Sequence, residues 1–402
     1  MKILMINQPI GNKGDESAHK GLLRRVLKDF PCAKITVLFC HLSDESIENF
    51  KLYDDRINYV NIPRAHFYEI IYKTALKKGV YWGWYLFPTT RKLLSFFKKC
   101  DFVLNAPGGI CMGGFQVWEH LMFLKMAQLC KKDIYYYGRS FGPFPTETKD
   151  NIRFKELSIN FLKSFKFLSI RDKKTEALAN TLNLNYISTV DSAFLDDINC
   201  NIPIDIKKKI SSDNYMVFVP NSLVWHYAYK NVSKKQVMDF YLTIVNQINK
   251  LYGDIKIVML PQLFNSPSCD YNYFLEIKAL LDNKNIVVIE DTYSSDVQQM
   301  VIKNAKFVIG ARYHSVVFSI NQNKPFIALS YEHKISGLLQ TLGLEKFMVE
   351  ISNIWESKKE TEICLLKIEN LLKTLSQEKV SNQYAKSISN ACFKKFANLI
   401  KN

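Results

Sequence analysis

Short apolar runs alternate with longer amphipathic stretches along almost the whole chain. Residues 2–7 form the first run, apolar on both faces, which is the pattern of a parallel strand covered above and below. Gly11 and Gly14 then mark a turn. Ala18, Leu22, Val26 and Phe30 recur at helical spacing and predict a helix over 16–30. Strands are expected at 35–39, 59–62, 101–105, 134–137 and 167–170, with a helix at 117–130, and a last unit ends in 190–194. The stretch 196–214 breaks the pattern, because it is polar, holds Pro203 and a lysine run, and has little apolar periodicity. It reads as a linker. A second series begins at 215–219 and continues with strands at 255–260, 286–289, 307–309 and 325–330 and helices at 236–252, 273–281 and 295–304. From 356 to 402 the spacing is helical, with Leu365, Ile368, Leu371 and Leu372 on apolar positions.

This alternation predicts an α/β protein of two Rossmann-like, doubly wound domains, 1–195 and 215–355, facing each other across a cleft. A length of 402 residues suits two domains better than one core. Hydrophobic residues make up 48% and charged residues 23%, as in ordinary globular proteins. The apolar runs fall short of the ~20 residues that cross a bilayer, and the N-terminus lacks the pattern of a signal peptide, so a cytoplasmic location is expected. The nine cysteines show no CxxC pair, which argues against a disulfide framework or structural zinc; no metal and no cofactor are expected. The net charge of +16 suits an anionic substrate or membrane face. Nucleic acid is not expected as a partner, since the basic residues are dispersed and no nucleic-acid-binding motif is present.

The pivotal stretch is 305–319, which reads as buried strand, tight turn and helix start, with Arg312 and His314 at the turn. Ligands bind at the C-terminal ends of such strands, and a helix N-terminus there favours an anion. Arg312 supplies a planar fork for phosphate or carboxylate, and His314 a group able to carry a proton near neutral pH. Other strands end in glycine or polar residues at the same edge: Gly108, Gly109, Gly113 and Gly114 after 101–105, Gly138, Arg139 and Ser140 after 134–137, and Arg171 and Asp172 after 167–170. Asp15 either caps the first helix or meets substrate. Segment 66–100, beginning at His66, mixes aromatic residues with Lys73, Lys77, Lys78, Arg91, Lys92, Lys98 and Lys99. It is either a pair of helices packed on the first sheet with a solvated basic face, or a membrane-facing surface.

Six stretches in order resemble the polysaccharide pyruvyl transferase family: Gly11 to Ala18, Pro107-Gly108-Gly109, Gly138 to Phe144, Ser169 to Lys173, Asp191 to Phe194, and Gly310 to Ser315, with Pro325, Tyr331 and Lys334 behind them. One departure is Ile110, where a third consecutive glycine is common. The resemblance implies a GT-B-like fold whose last helices, 356–402, cross back to the first domain. It implies phosphoenolpyruvate as co-substrate and a sugar acceptor, lipid-linked or on a growing chain, with a pyruvate ketal and inorganic phosphate as products. It also implies substrate contacts from Gly14, Gly108, Gly109, Arg139 and Ser140.

Phosphoenolpyruvate carries two anionic groups on a small frame, so two fixed cations are needed, and Arg171 and Arg312 are the choice. The alternative for Arg171 is a structural ion pair with Asp172 or another carboxylate. Ketal formation needs a proton on the donor's methylene carbon, for which His314 is the best acid; its alternative is a core histidine bonded to backbone. His19 and His226, the latter beside Trp225, read as packing or surface residues. His333 and Lys334 sit near a helix start, where both would meet phosphate, with Glu332 beside them. Asp15, Glu332 or the departing phosphate would accept the acceptor's proton. Two competing readings remain at this level. One is a nucleotide-sugar glycosyltransferase of the same fold, for which Glu290-Asp291 would hold a ribose. The other is a non-catalytic glycan- or polyanion-binding protein.

Overall fold

The computed structural model describes residues 1–48, 50–63, 68–224, 226–264, 269–281, 284–290 and 292–401. His66, Trp225 and Asp291 lie outside them. The chain divides into two compact units. The N-terminal unit comprises Met1–Ile10, Ala18–Asp196 and Ser387–Asn402, and the C-terminal unit Gly11–Ser17 and Asp197–Lys386.

The N-terminal unit is built on seven strands: β1 (Lys2–Ile6), β2 (Lys34–Cys40), β3 (Ile57–Ile62), β4 (Phe102–Asn105), β5 (Ile134–Tyr136), β6 (Phe167–Ile170) and β7 (Ile187–Ser188). They pair in the order β3-β2-β1-β4-β5-β6-β7, and every pairing is parallel. Period-2 alternation sends Leu4, Ile6, Leu38 and Val103 to one face and Ile3, Met5, Val37 and Leu104 to the other. Both faces are covered, which is why these strands read as continuous apolar runs. Leu22 and Val26 of the helix Lys13–Asp29 cover the second face together with Phe393 and Phe396 of the helix Gln383–Lys401. Phe396 lies edge-on to Tyr135 and Phe167 at centroid distances of 5.5 Å. Burial of each such ring is worth roughly 1.5–3 kcal/mol, enough to fix the chain's last helix on this sheet.

Leu76, Trp84, Leu93, Leu94 and Phe97, from the aromatic and basic segment, cover the first face. That segment forms the helix Tyr68–Lys78, a single tight turn at Trp82–Tyr85 and the helix Pro88–Lys99.

The C-terminal unit has six strands: β8 (Tyr215–Val219), β9 (Lys256–Met259), β10 (Ile286–Val288), β11 (Val308–Gly310), β12 (Phe326–Ser330) and β13 (Met348–Glu350). Their order is β10-β9-β8-β11-β12-β13, again with every pairing parallel. The order reverses between β8 and β11, so the turn after β11 stands at the switch point of the sheet. The stretch 196–214 is more than a linker, because Ile204–Ile210 is helical and buries Ile206 and Ile210. The helix Lys358–Leu375 stays with this unit; Gln247 Nε2 donates to the Leu365 carbonyl at 3.2 Å.

Candidate active site

The turn after β11 carries Arg312 as the N-cap residue of the helix Tyr313–Asn321, and His314 as its second residue. The Arg312 guanidinium pairs with Asp270, whose side chain is 2% exposed. Burial opposes the positive charge of Arg312, but Asp270, Tyr331 and Tyr241 more than offset it, and the pKa is raised. Asp270 opens the helix Asp270–Leu281, and its other oxygen accepts from the Gln262 and Leu263 amides at 3.0 and 2.9 Å. One carboxylate thus fixes both Arg312 and the loop after β9. Beside it the Gln262 side-chain amide is buried, and neither its nitrogen nor its oxygen has a hydrogen-bond partner among the described residues.

The glycine turn Gly11 to Ser17 belongs to this unit, and its polar side chains explain why. Lys13 N donates to the Gln262 carbonyl at 2.9 Å, and Phe264 N to the Gly11 carbonyl at 3.1 Å. Lys13 is buried, 3.3 Å from Glu16 and 4.5 Å from the centre of the Phe264 ring. Glu16 is 0% exposed and accepts from Ser295 N at 2.9 Å, at the start of the helix Ser295–Asn304. Gln299 Nε2 donates to Ser17 Oγ at 3.0 Å. The glycine turn therefore uses Lys13, Glu16 and Ser17 to hold itself in place. The helix cap is supplied by Asn12, whose Oδ1 accepts from Asp15 N at 2.7 Å, while Asn12 Nδ2 donates back to the Asp15 carboxylate. Asp15 lies within the first helical turn and is itself not the cap.

Gly14 has a spatial reason to be glycine. A Cβ built on it would lie 1.8 Å from His314 Nδ1 and 1.9 Å from His314 Cγ, so the imidazole occupies the space where a side chain would stand. Tyr313 packs edge-on to the same ring at 4.9 Å, and Phe318 lies 6.2 Å away. His314 is thus a packed side chain confined by a glycine from a distant part of the sequence.

After β12, Glu332 and Lys334 pair at 3.6 Å, and Tyr331 OH donates to Glu332 at 3.4 Å. His226 packs against Tyr331 at 6.0 Å, and burial lowers its pKa, with Glu332 opposing and Lys334 assisting. Gly14, Asp15, Arg312, His314, Glu332 and Lys334 thus all belong to the C-terminal unit.

Gly108, Gly109, Arg139, Ser140 and Arg171 belong to the N-terminal unit. Arg171 directly follows β6 and forms a buried ion pair with Asp191, not Asp172. Asp191 also accepts from Ala193 N at 3.0 Å. Asp172 is the N-cap of the helix Lys173–Thr181, accepting from Thr175 N at 2.9 Å. Arg139 is 0% exposed and acts as a brace: it donates to the carbonyls of Asn7, Ala106 and Gly109 at 2.6, 3.0 and 3.0 Å and contacts Cys111 Sγ at 2.7 Å. Expected to meet substrate, it instead holds the glycine loop against the end of β1. Gly108 has φ +152° and bridges Arg139, whereas a Cβ on Gly109 would touch nothing within 4 Å. Ser140 is buried, and its hydroxyl has no hydrogen-bond partner among the described residues.

A cavity of about 230 Å³ lies in this unit at the ends of β1 and β2, lined by Asn7, Gln8, Cys40, Glu119, His120 and Arg139 among others. Cys40, His41 and Glu119 bring their ligand-type atoms within 4.8 Å of one another. Burial, and then the Glu119 charge, push the Cys40 thiol up to about 12, so it is protonated near neutral pH. His19 is a core residue, bonded to Gln8 at 2.9 Å and Tyr59 at 3.1 Å; burial, aided by Lys20, lowers its pKa to about 3.

Sequence reasoning missed Asp270, Gln262 and His120. An acid ahead of a helix reads as a cap, a lone Gln carries no signal, and His120 falls on an expected helix.

The polysaccharide pyruvyl transferase family model matches residues 12–333. The amylovoran biosynthesis protein AmsJ of Erwinia amylovora is 22% identical over 420 residues, covering 96% of this chain and 95% of that protein. Among solved structures, the UDP-GlcNAc 2-epimerase of Methanocaldococcus jannaschii superposes with a TM-score of 0.61 at 14% identity, covering 98% of this chain and all of that one. UGT89C1 of Arabidopsis thaliana, solved with UDP-L-rhamnose, gives 0.57 at 11% identity, covering 99% and 98%. These likenesses show the fold, two Rossmann-like domains of the GT-B class. With the family's motifs running from the Asn12 turn to the helix that begins at His333, the chain belongs to the polysaccharide pyruvyl transferase family.

Proposed function

We propose that the protein transfers the enolpyruvyl group of phosphoenolpyruvate to two hydroxyls of one sugar, forming a pyruvate ketal and releasing phosphate. The acceptor is a sugar of a cell-surface polysaccharide or of its lipid-linked precursor, and the reaction belongs in the cytoplasm, where the donor is made. The observation that carries the reading is the turn after β11, where Arg312 and His314 stand two residues apart at a helix N-terminus and Gly14 makes room for the imidazole.

In this reading Arg312 neutralises one of the donor's two anionic groups. His314 gives its proton to the methylene carbon, and the cationic centre left at the adjacent carbon is attacked by the first acceptor hydroxyl. Phosphate leaves with the C–O bond electrons, and the second hydroxyl closes the ketal. Two hydroxyl protons are released: one restores His314, and the other goes to the departing phosphate or to a carboxylate, for which Asp15 and Glu332 are the candidates. Lys334 and the Tyr313–Asn321 helix N-terminus favour the phosphate's negative charge. General acid catalysis of this kind supplies on the order of 10²–10⁴ in rate.

Phosphate release from phosphoenolpyruvate with candidate glycans tests the reading. His314→Ala is expected to abolish turnover while donor binding, followed by calorimetry, stays within a few-fold. Heat with a nucleotide sugar and none with phosphoenolpyruvate would overturn the donor assignment.

A further inference from the structure

The segment between β3 and β4 does more than cover the first face of the N-terminal sheet. Its inward residues, Leu76, Trp84, Leu93, Leu94 and Phe97, are 0–1% exposed and satisfy the packing requirement. Six large apolar residues in the same short segment remain in solvent: Ile70 at 62%, Val80 at 49%, Trp82 at 68%, Tyr85 at 42%, Leu86 at 64% and Phe87 at 45%. Four of them fall on or directly after the turn Trp82–Tyr85, where two helices meet. Scattered exposed apolar side chains need no explanation, but a run of this density does.

The flanking charge indicates the partner. Residues 68–99 hold Lys73, Lys77, Lys78, Arg91, Lys92, Lys98 and Lys99 against one acid, Glu69, which pairs with Lys73. All of these cations except Lys73 are exposed. Lys77 meets Asp150, and Lys98 lies 5.8 Å from the Tyr85 ring, beside the apolar turn. Among the described residues no helix is long and apolar enough to cross a membrane. Trp and Tyr set among Leu and Phe, with exposed Lys and Arg in the flanking helices, is the composition that lies in the headgroup layer of an anionic bilayer. A soluble protein partner would need a matching acidic surface; a membrane supplies the anionic field and the apolar layer together.

We propose that the Trp82–Phe87 turn and its exposed cations form a docking surface for an anionic lipid bilayer, with the apolar turn inserted at headgroup depth. This surface is independent of the donor chemistry, so its failure would leave the transferase reading untouched. It would hold the enzyme where lipid-linked acceptors are found.

Cosedimentation of the full chain with vesicles of phosphatidylglycerol and phosphatidylethanolamine tests it, with phosphatidylcholine vesicles as the neutral comparison. Binding is expected to the anionic vesicles, to fall with added salt, and to be weak on the neutral ones. Replacing Lys78, Lys92 and Lys99 together by Ala should weaken partitioning on the order of a hundred-fold, from about 1 kcal/mol per cation near the surface. Trp82→Ser with Leu86→Ser should weaken it at least ten-fold at unchanged charge. These side chains are exposed, so thermal melting should match wild type and separate lost docking from lost folding. Equal binding to anionic and neutral vesicles, no binding to either, or self-association through the turn in place of vesicle binding would overturn the proposal.

Discussion

Gly14→Ala is a one-carbon test of the proposed catalytic turn. The added Cβ would lie 1.8 to 2.1 Å from three atoms of the His314 ring, whereas ordinary contact begins near 3.4 Å. The ring must therefore retreat by about 1.6 Å. Backbone movement is the costlier response, because the turn is tied to Gln262 and Phe264 by backbone hydrogen bonds and Glu16 is tied to Ser295. His314 is partly exposed and on the first turn of its helix, so it gives way by rotating. Stability should change little: alanine gains up to about 1 kcal/mol over glycine in a helix, which offsets part of the repacking of one side chain. Catalysis should change greatly, since a proton donor displaced by more than 1 Å loses roughly 10²-fold in rate. The assay is kcat for phosphate release, with donor affinity and thermal melting measured on the same preparations. Gly14→Ala should reduce kcat by about two orders of magnitude with melting within a few degrees of wild type. Full activity in Gly14→Ala would refute this account of the turn.

Other expectations follow from individual contacts. Asp270→Asn should raise the donor KM, because Arg312 loses the charge that aims it, and should lower the melting temperature, since one broken buried pair costs about 3–5 kcal/mol; an unchanged KM would remove Arg312 from the anion site. Arg139→Met should destabilise the N-terminal unit by roughly 2–4 kcal/mol by leaving the Asn7, Ala106 and Gly109 carbonyls unpaired, visible as a lower urea midpoint; an unchanged midpoint would remove its role as a brace. His19 is held neutral by burial down to about pH 3, whereas in the unfolded chain it takes a proton below about pH 6.5. Its contribution is therefore full above pH 6.5 and is lost as pH falls towards 3, amounting to roughly 2 kcal/mol of lost stability at pH 5; His19→Gln should flatten that slope in urea titrations, and an unaltered slope would argue against a buried neutral imidazole. The Cys40 thiol, pushed up to about 12, should alkylate far more slowly at pH 8 than exposed Cys32, read by peptide mapping; equal rates would contradict its burial.

Much of the fold was legible because both sheets are parallel and covered on both faces. That requirement produces uniform apolar runs such as Tyr215–Val219 and Phe326–Ser330, bounded by glycine or polar residues. The short edge strands Ile187–Ser188 and Met348–Glu350 were not legible, since two or three residues show no period. Arg312 and His314 could be placed at a helix start because a helix N-terminus after a strand has a local sequence signature. Their supports could not. Gly14 and His314 are 300 positions apart, and nothing local in either stretch announces that one ring fills the other's missing side chain. The same holds for Arg139 and Arg171: a basic residue at a strand end looks alike whether it meets an anion, a carbonyl cluster or Asp191, and only the fold tells which.

The most direct measurement is paired. Purified protein is incubated with phosphoenolpyruvate and a lipid-linked glycan; released phosphate is quantified, and the pyruvate ketal on the sugar is identified by nuclear magnetic resonance. The account predicts one phosphate per ketal in the wild type and neither product in His314→Ala. Phosphate without ketal, ketal formed by His314→Ala at the wild-type rate, or turnover only with a nucleotide sugar would contradict it.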